Sequence, residues 1–199
     1  MSKVTTGASM SIDGYISGPG LSGFEYLFRW YGNGEVEIPM GNPELNVHAT
    51  PQSAEHLRRL LDSTGVLVCG RRLYDQMGAW GGRHPMSVPV VVVSRDLPDD
   101  RPAEDENFVF VTEGIEAAIA KAKDLAGDKN VGVNGGTIAS QCLDAGLLDE
   151  VHVDLVPVIL GDGTPFFSSL GSAPVELEGP ISVVRGDSVT HLAYRVVRR

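Results

Sequence analysis

Residues 3–12 alternate loosely between polar and apolar side chains and end in Ser9-Met-Ser-Ile-Asp-Gly14. That alternation predicts a first strand running into an Asp13-Gly14 turn, with Tyr15 and Ile16 resuming beyond it. Thr50-Pro51 supplies a capping hydroxyl and a proline in the first turn of a helix. In that helix Leu57, Leu60 and Leu61 form the apolar stripe, with Glu55, Arg58, Arg59 and Asp62 outside. Unbroken apolar runs at 65–69, 89–94 and 108–112 predict strands buried on both faces, as in a parallel sheet. Ile115, Ala118, Ile119, Ala122 and Leu125 recur at helical spacing until Gly127 stops them. Residues 130–134 read as another strand, interrupted by Gly135 and Gly136. Ile138, Cys142 and Ala145 then mark a helix ended by Gly146. A strand is expected at 151–159, broken by Pro157. The chain ends in β structure near 175–178, 181–185 and 189–197, the last two joined as a hairpin around Gly186-Asp187.

Strands alternating with helices, then a terminal β-hairpin, predict an α/β fold: one mixed, mainly parallel sheet flanked by helices. No internal repeat or linker is visible, so residues 1–199 read as a single domain. The exception to the pattern is 17–50, which has no clear period but carries Phe24, Tyr26, Phe28, Trp30 and Tyr31. Disordered segments are not so aromatic. The stretch reads as an ordered lid or a subunit contact, or as a surface loop pinned by its own aromatic cluster.

Composition narrows the function classes. Hydrophobic residues make up 42% of the 199, enough for a sizeable core, and charged residues 21%. The formal charge of -10 argues against general nucleic-acid or anionic-membrane binding, which needs a basic surface. No apolar run is long enough to span a bilayer, and Met1-Ser-Lys-Val-Thr lacks a secretion pattern. Cys69 and Cys142 show no metal or redox spacing and read as reduced, buried thiols in a cytoplasmic protein. His48, His56, His84, His152 and His191 show no metal spacing either, so no metal site is expected. Nothing resembles a nucleophile–base pair, which argues against a hydrolase.

The chemistry gathers at strand ends. Strand, paired glycines and helix together present unpaired N–H groups at the positive end of a helix dipole, and glycine lets a ligand approach closely. That is an anion site, with phosphate or pyrophosphate the common ligand and a plain tight turn the alternative. Two more polar turns end strands: Gly70-Arg71-Arg72 and Ser94-Arg95. If the strands are parallel neighbours, the three turns share one rim, where ligands of such sheets bind. Arg71, Arg72 and Arg95 would then make a positive strip on an acidic protein, suited to a pyrophosphate plus a further phosphate. Ser94-Arg95 is what a ribose 2′-phosphate needs; Asp96 is its awkward neighbour.

At these residues the chain resembles a family. Gly70-Arg71 followed by an aromatic, Ser94 after the next strand, the strand ending in Gly135-Gly136, and Leu160-Gly-Asp-Gly163 resemble the dihydrofolate reductase superfamily. Ser11-Ile-Asp-Gly-Tyr15 and Asp149-Glu-Val-His-Val-Asp154 are similar to its branch related to the C-terminal reductase domain of riboflavin biosynthesis. The resemblance implies a dihydrofolate reductase-like three-layer fold and an NADPH-dependent oxidoreductase that passes a hydride to a small heterocyclic or conjugated carbonyl or imine substrate. It implies that Gly70, Arg71, Leu73 and Tyr74 border the pyrophosphate and adenosine, and that Ser94 and Arg95 hold the 2′-phosphate. Asn134, Gly135, Gly136, Thr137 and Ile138 would wrap the pyrophosphate, with Ala8 and the Asp13-Gly14 turn beside the nicotinamide. Asp13 is the first candidate for proton donor, with a simple Asp-Gly turn as its alternative and Tyr15 as a substitute. Where dihydrofolate reductases proper keep a carboxylate on the first long helix this chain has Ala54, with Glu55 beside it, so the resemblance does not extend to dihydrofolate itself as substrate. A homodimer through the terminal hairpin and the Val151–Ile159 strand is implied. The rivals are a riboflavin-pathway pyrimidinone reductase and a non-catalytic NADPH-binding dimeric protein.

Overall fold

Apolar runs of four to seven residues pack as strands because each buries both faces, and here they assemble side by side. The computed structural model describes residues 2–42, 45, 47–98 and 106–197. The chain order is β1 (Val4–Ser11), β2 (Tyr15–Ser17), α1 (Phe24–Leu27), β3 (Val36–Ile38), β4 (Val47–Ala49), α2 (Pro51–Ser63), β5 (Thr64–Gly70) and α3 (Arg71–Gln76). There follow β6 (Val90–Val93), β7 (Phe108–Val111), α4 (Ile115–Ala126), β8 (Asn130–Asn134), α5 (Thr137–Asp144), β9 (Glu150–Val156), β10 (Thr164–Pro165), β11 (Leu177–Arg185) and β12 (Thr190–Val196).

The main sheet has eight strands in the order β11-β12-β9-β1-β8-β5-β6-β7. From β9 to β7 every neighbouring pair is parallel; β12 runs antiparallel to β9 and to β11. Helices cover both faces, giving the three-layer, dihydrofolate reductase-like arrangement. On one face Val4, Val66, Val68, Val91, Val131, Val133, Val151 and Val153 pack against Ala118, Ile119 and Ala122 of α4 and Ile138, Ala139 and Cys142 of α5. On the other face the apolar packing falls into two separate clusters. One joins Ala54 and Leu57 of α2 to Val156 and Val189. The other joins Leu67, Cys69, Val90, Val92 and Phe108 to Leu73, Tyr74 and Trp80.

Four expectations are corrected. Thr50 stands at the N-cap of α2, but its hydroxyl makes no capping bond, and the helix starts on Pro51 without it. The 17–50 stretch is not irregular throughout: it forms α1 and the β3–β4 hairpin, and it inserts Leu27, Trp30, Ile38, Val47 and Ala49 into the α2 cluster. Three-residue strands are too short to show a period, so only burial reveals them. Residues 43, 44 and 46 of that stretch lie outside the described residues. The strand expected at 151–159 stops at Val156, because the Val158 N–H turns back to the Val156 carbonyl. The segments at 175–178 and 181–185 belong to one strand, β11, whose register with β12 shifts between Glu178 and Ser182.

Candidate active site

The gap between the two clusters defines a cleft. In β1, Thr5, Gly7 and Ser9 face the α2–α3 side, since Val4 packs on the opposite face and strand side chains alternate. Gly7 sits in the interior of the sheet, paired with Asn134 on β8 and His152 on β9, yet it is exposed. Bare backbone at the middle of a central strand means that neither α2 nor α3 covers it. Gly132 on β8 is likewise only half-buried. A Cβ added at Gly7 would meet nothing nearer than the His152 Cβ at 3.4 Å. The floor is thus open above Gly7, as a flat ring against the backbone requires, whereas at Gly132 a Cβ would meet Leu67 Cδ2 at 2.7 Å.

The rim of this cleft holds the sequence-predicted turns. Gly70, Ser94 and Gly135 follow adjacent parallel strands β5, β6 and β8, so the structure brings all three turns to one edge. A Cβ at Gly70 would lie 3.3 Å from Ile138 Cγ1, so the β5 end abuts the first turn of α5. Gly136 has φ 84 and ψ -141, a conformation open essentially to glycine alone. Its N–H is already bonded to the Phe166 carbonyl at 2.7 Å. The first-turn N–H groups of Thr137 and Ile138 have no intrahelical acceptor and are the donors this turn can offer an anion. Asn134 and Gly135 are half-buried beside them. Arg71 holds Asp75 through Nε at 2.7 Å and lies 4.0 Å from Asp96. Arg95 is exposed. The Ser94 hydroxyl donates to the Asp96 carbonyl at 2.6 Å, which fixes the turn that carries Arg95. Leu73 and Tyr74 pack on the α3 side, Tyr74 edge-on to Phe108 and Phe110. Ala8 is half-buried and packs toward the α4–α5 face, so on β1 it is Gly7 that lies open to the cleft.

Asp13 and Gly14 do form a turn after β1, closed by Gly14 N–H to Ser11 O at 3.0 Å. The Asp13 carboxylate accepts the N–H groups of Leu160 (3.1 Å) and Gly161 (2.7 Å), clasping the Leu160-Gly-Asp-Gly163 turn to the end of β1. The Ser11 hydroxyl and these two N–H groups hold its carboxyl below the usual 3.8. Stabilising the ionised form works against proton donation near neutrality. Tyr15 is half-buried, its N–H bonded to Ser11 Oγ at 2.9 Å.

A second group of polar side chains lies beside the cleft and has no sequence signature. Ser53 and His56 are on α2, Asp154 on β9 and His191 on β12. His191 Nδ1 bonds Asp154 Oδ1 at 2.6 Å, and its Nε2 meets Ser53 Oγ at 2.9 Å. His56 Nε2 lies 3.3 Å from the same Asp154 oxygen, and the two imidazoles stack with centroids 4.1 Å apart. Trp30 packs edge-on to His191 and donates its Nε1–H to Ser9 Oγ at 3.1 Å. Burial would raise the Asp154 carboxyl, but bonds from His191 and His56 outweigh it and hold it below 3.8. Tyr31 beside them is pushed well above its ordinary phenol value, first by burial and then by the Asp154 charge. The ligand atoms of His56, Asp154 and His191 all fall within 4.8 Å. A cation there would have to displace the bonds that both imidazoles already make to the Asp154 carboxylate. The only hint in sequence is that His56 abuts the Leu57 stripe and Asp154 interrupts an apolar strand.

Comparisons with known proteins agree with this geometry. The family model for the RibD C-terminal domain matches residues 2–179. A structure titled as a putative riboflavin biosynthesis protein from Shewanella sp. PV-4 superposes with TM-score 0.75 over 100% of both chains, at 22% identity. A dihydrofolate reductase from Enterococcus faecalis complexed with NADP(H) and RAB-propyl gives TM-score 0.57 over 98% of this chain and 97% of that one, at 13% identity. Both likenesses concern the fold. The uncharacterized protein YwjB of Bacillus subtilis (strain 168) is 28% identical over 106 residues, which span 53% of this chain and 59% of that protein. Among the described residues no helix is long and apolar enough to cross a membrane.

Proposed function

The chain belongs to the RibD C-terminal domain family, and from that premise we propose that it is an NADPH-dependent reductase of a small heterocyclic substrate. The observation that carries this is the uncovered Gly7 floor lying beside a rim where three phosphate-suited turns meet. Bound there, NADPH would supply the hydride. The chain's own residues do the rest. Thr137 and Ile138 would hold the pyrophosphate through backbone N–H groups. Arg71, with Gly70, Leu73 and Tyr74, would border it and the adenosine, and Ser94 and Arg95 would take the 2′-phosphate. Gly7, with the backbone of Ala8 and Gly14, would lie against the nicotinamide. The α2 cluster, fed by the aromatic 17–50 stretch, walls the substrate space and excludes water.

The family match favours a pyrimidinone of the riboflavin pathway over a general carbonyl or imine. Glu55 supports the case against dihydrofolate: it points outward and pairs with Arg59 at 3.1 Å, while Ala54 beside it is fully buried. A homodimer through the terminal hairpin fits the exposed Ile181 and Val183 on β11. The test is NADPH oxidation by the purified protein with an aminopyrimidinone, cyclic imines and conjugated carbonyls. Turnover of the aminopyrimidinone supports this reading. Tight NADPH binding with every acceptor left unreduced would instead make it a non-catalytic NADPH-binding protein.

A further inference from the structure

The Ser53–His191–Asp154–His56 chain lies at cleft level for a geometric reason. Helix α2 leads directly into β5 and runs back along it, so its N-terminal residues Ser53 and His56 sit at the carboxyl end of the sheet. Asp154 is paired with Ser9, two residues along the same face from Gly7. Two residues of rise and one strand spacing put Asp154 on the order of 8 Å from the Gly7 floor. His191 is paired with Asp154 from the other side.

Within the chain the partners are unequal. Only 1% of the His191 side chain is exposed, and both its nitrogens are occupied, by Asp154 and by Ser53. With both nitrogens engaged inside the protein, His191 has none to offer a substrate. The likeness to a Ser-His-Asp hydrolase is superficial. Ser53 is itself buried under the terminal hairpin, where a Cβ at Gly186 would strike its Oγ, so no substrate carbonyl reaches it. The Asp154 charge is therefore left to support the second imidazole. His56 keeps 19% of its side chain exposed, with Nε2 turned to Asp154. Its Nδ1 is then the position from which a proton can leave the cluster.

We propose that His56 is the proton donor to the substrate, with Asp154 and His191 as the residues that position and charge it. This rests on the reductase reading above. In the step, a C–H bond of the dihydronicotinamide breaks and a C–H bond forms at the imine or carbonyl carbon. The displaced π pair goes to nitrogen or oxygen, which takes the proton from His56 Nδ1. NADPH is oxidised, the acceptor is reduced, and solvent reprotonates His56. The titratable groups packed against His56 are Asp154 from β9, 3.3 Å away, and the stacked His191 ring from β12; Tyr31 lies close enough to Asp154 to feel its charge. Among these Asp154 is the anion in direct contact.

The experiment pairs a cyclic imine that the protein reduces with its N-methyl iminium salt, which accepts a hydride and needs no proton. His56→Gln, checked for folding by circular dichroism, is expected to slow reduction of the neutral imine by about a hundredfold or more. Iminium reduction should stay within roughly threefold of wild type, by the same reasoning. Asp154→Asn should show a weaker form of the same split, in kcat rather than KM. Without NADPH, adding the imine should move the His56 ring resonances in the NMR spectrum and leave the buried His191 ring unmoved. Equal losses on both acceptors, or an unchanged imine rate in a folded His56→Gln, would overturn the proposal. A wild-type protein that binds NADPH but reduces no acceptor would overturn the reductase reading, and this proposal with it.

Discussion

Burial alone would drive the Asp154 carboxyl toward its neutral form, yet two imidazoles keep it ionised. Its folded pKa lies below the ordinary 3.8, so its stabilising contribution is present above 3.8 and is lost as pH falls through the lower folded value. Asp154→Asn should therefore cost about 1–3 kcal/mol in urea unfolding at neutral pH. The gap to wild type should close in acid below 3.8. A gap independent of pH would mean that packing, and not charge, is what Asp154 contributes. Arg95 is the opposite case: exposed, on a turn fixed by Ser94, and free of any burial cost. Arg95→Ala should weaken NADPH by about tenfold or more, the scale of one charge-assisted bond, and leave NADH nearly unaffected. Calorimetric titration with both nucleotides checks this, and equal losses would remove Arg95 from the 2′-phosphate role.

At the level of elements, glycine decides two junctions in different ways. Gly136 is needed for its backbone, at φ 84 and ψ -141, and so Gly136→Ala should lower stability by about 1–3 kcal/mol in chemical unfolding. Gly7 is needed for its emptiness. Its φ is ordinary and a Cβ would find only His152 at 3.4 Å. Gly7→Ala should match wild type or gain about 0.5–1 kcal/mol, because alanine is the better strand residue, while nucleotide or substrate binding weakens. Thermal unfolding and NADPH titration of one sample separate the two effects; a destabilised variant would show that the floor is packed after all. This contrast also marks what the sequence could disclose. The Gly135-Gly136 junction was readable because a strand and a helix flank it. Gly7 was not, since its exposure depends on α2 and α3 stopping short of it. The long strands and helices were readable from period and apolar runs. Helix α1 and the β3–β4 pair were not, at three or four residues each. His56, Asp154 and His191 lie on three elements far apart in the chain; the β9–β12 register joins the last two, and the packing of α2 brings His56 to them.

For the molecule as a whole, sheet order is what turns scattered residues into a site. The sequence places Gly70, Ser94 and Gly135 on three separate strands, and the order β8-β5-β6 makes them neighbours on one edge. The same order leaves Gly7 of β1 bare between two covered flanks. A formal charge of -10 then makes the arginines of that edge a local exception, through which an anionic dinucleotide can be drawn in. The most direct measurement is a backbone amide NMR map recorded as NADPH is added. The account predicts that the resonances that move are those of Gly7, Gly70, Arg71, Arg95, Thr137 and Ile138, together and with one affinity. Shifts confined to the α4 face, scattered over the surface, or absent at saturating NADPH would contradict it.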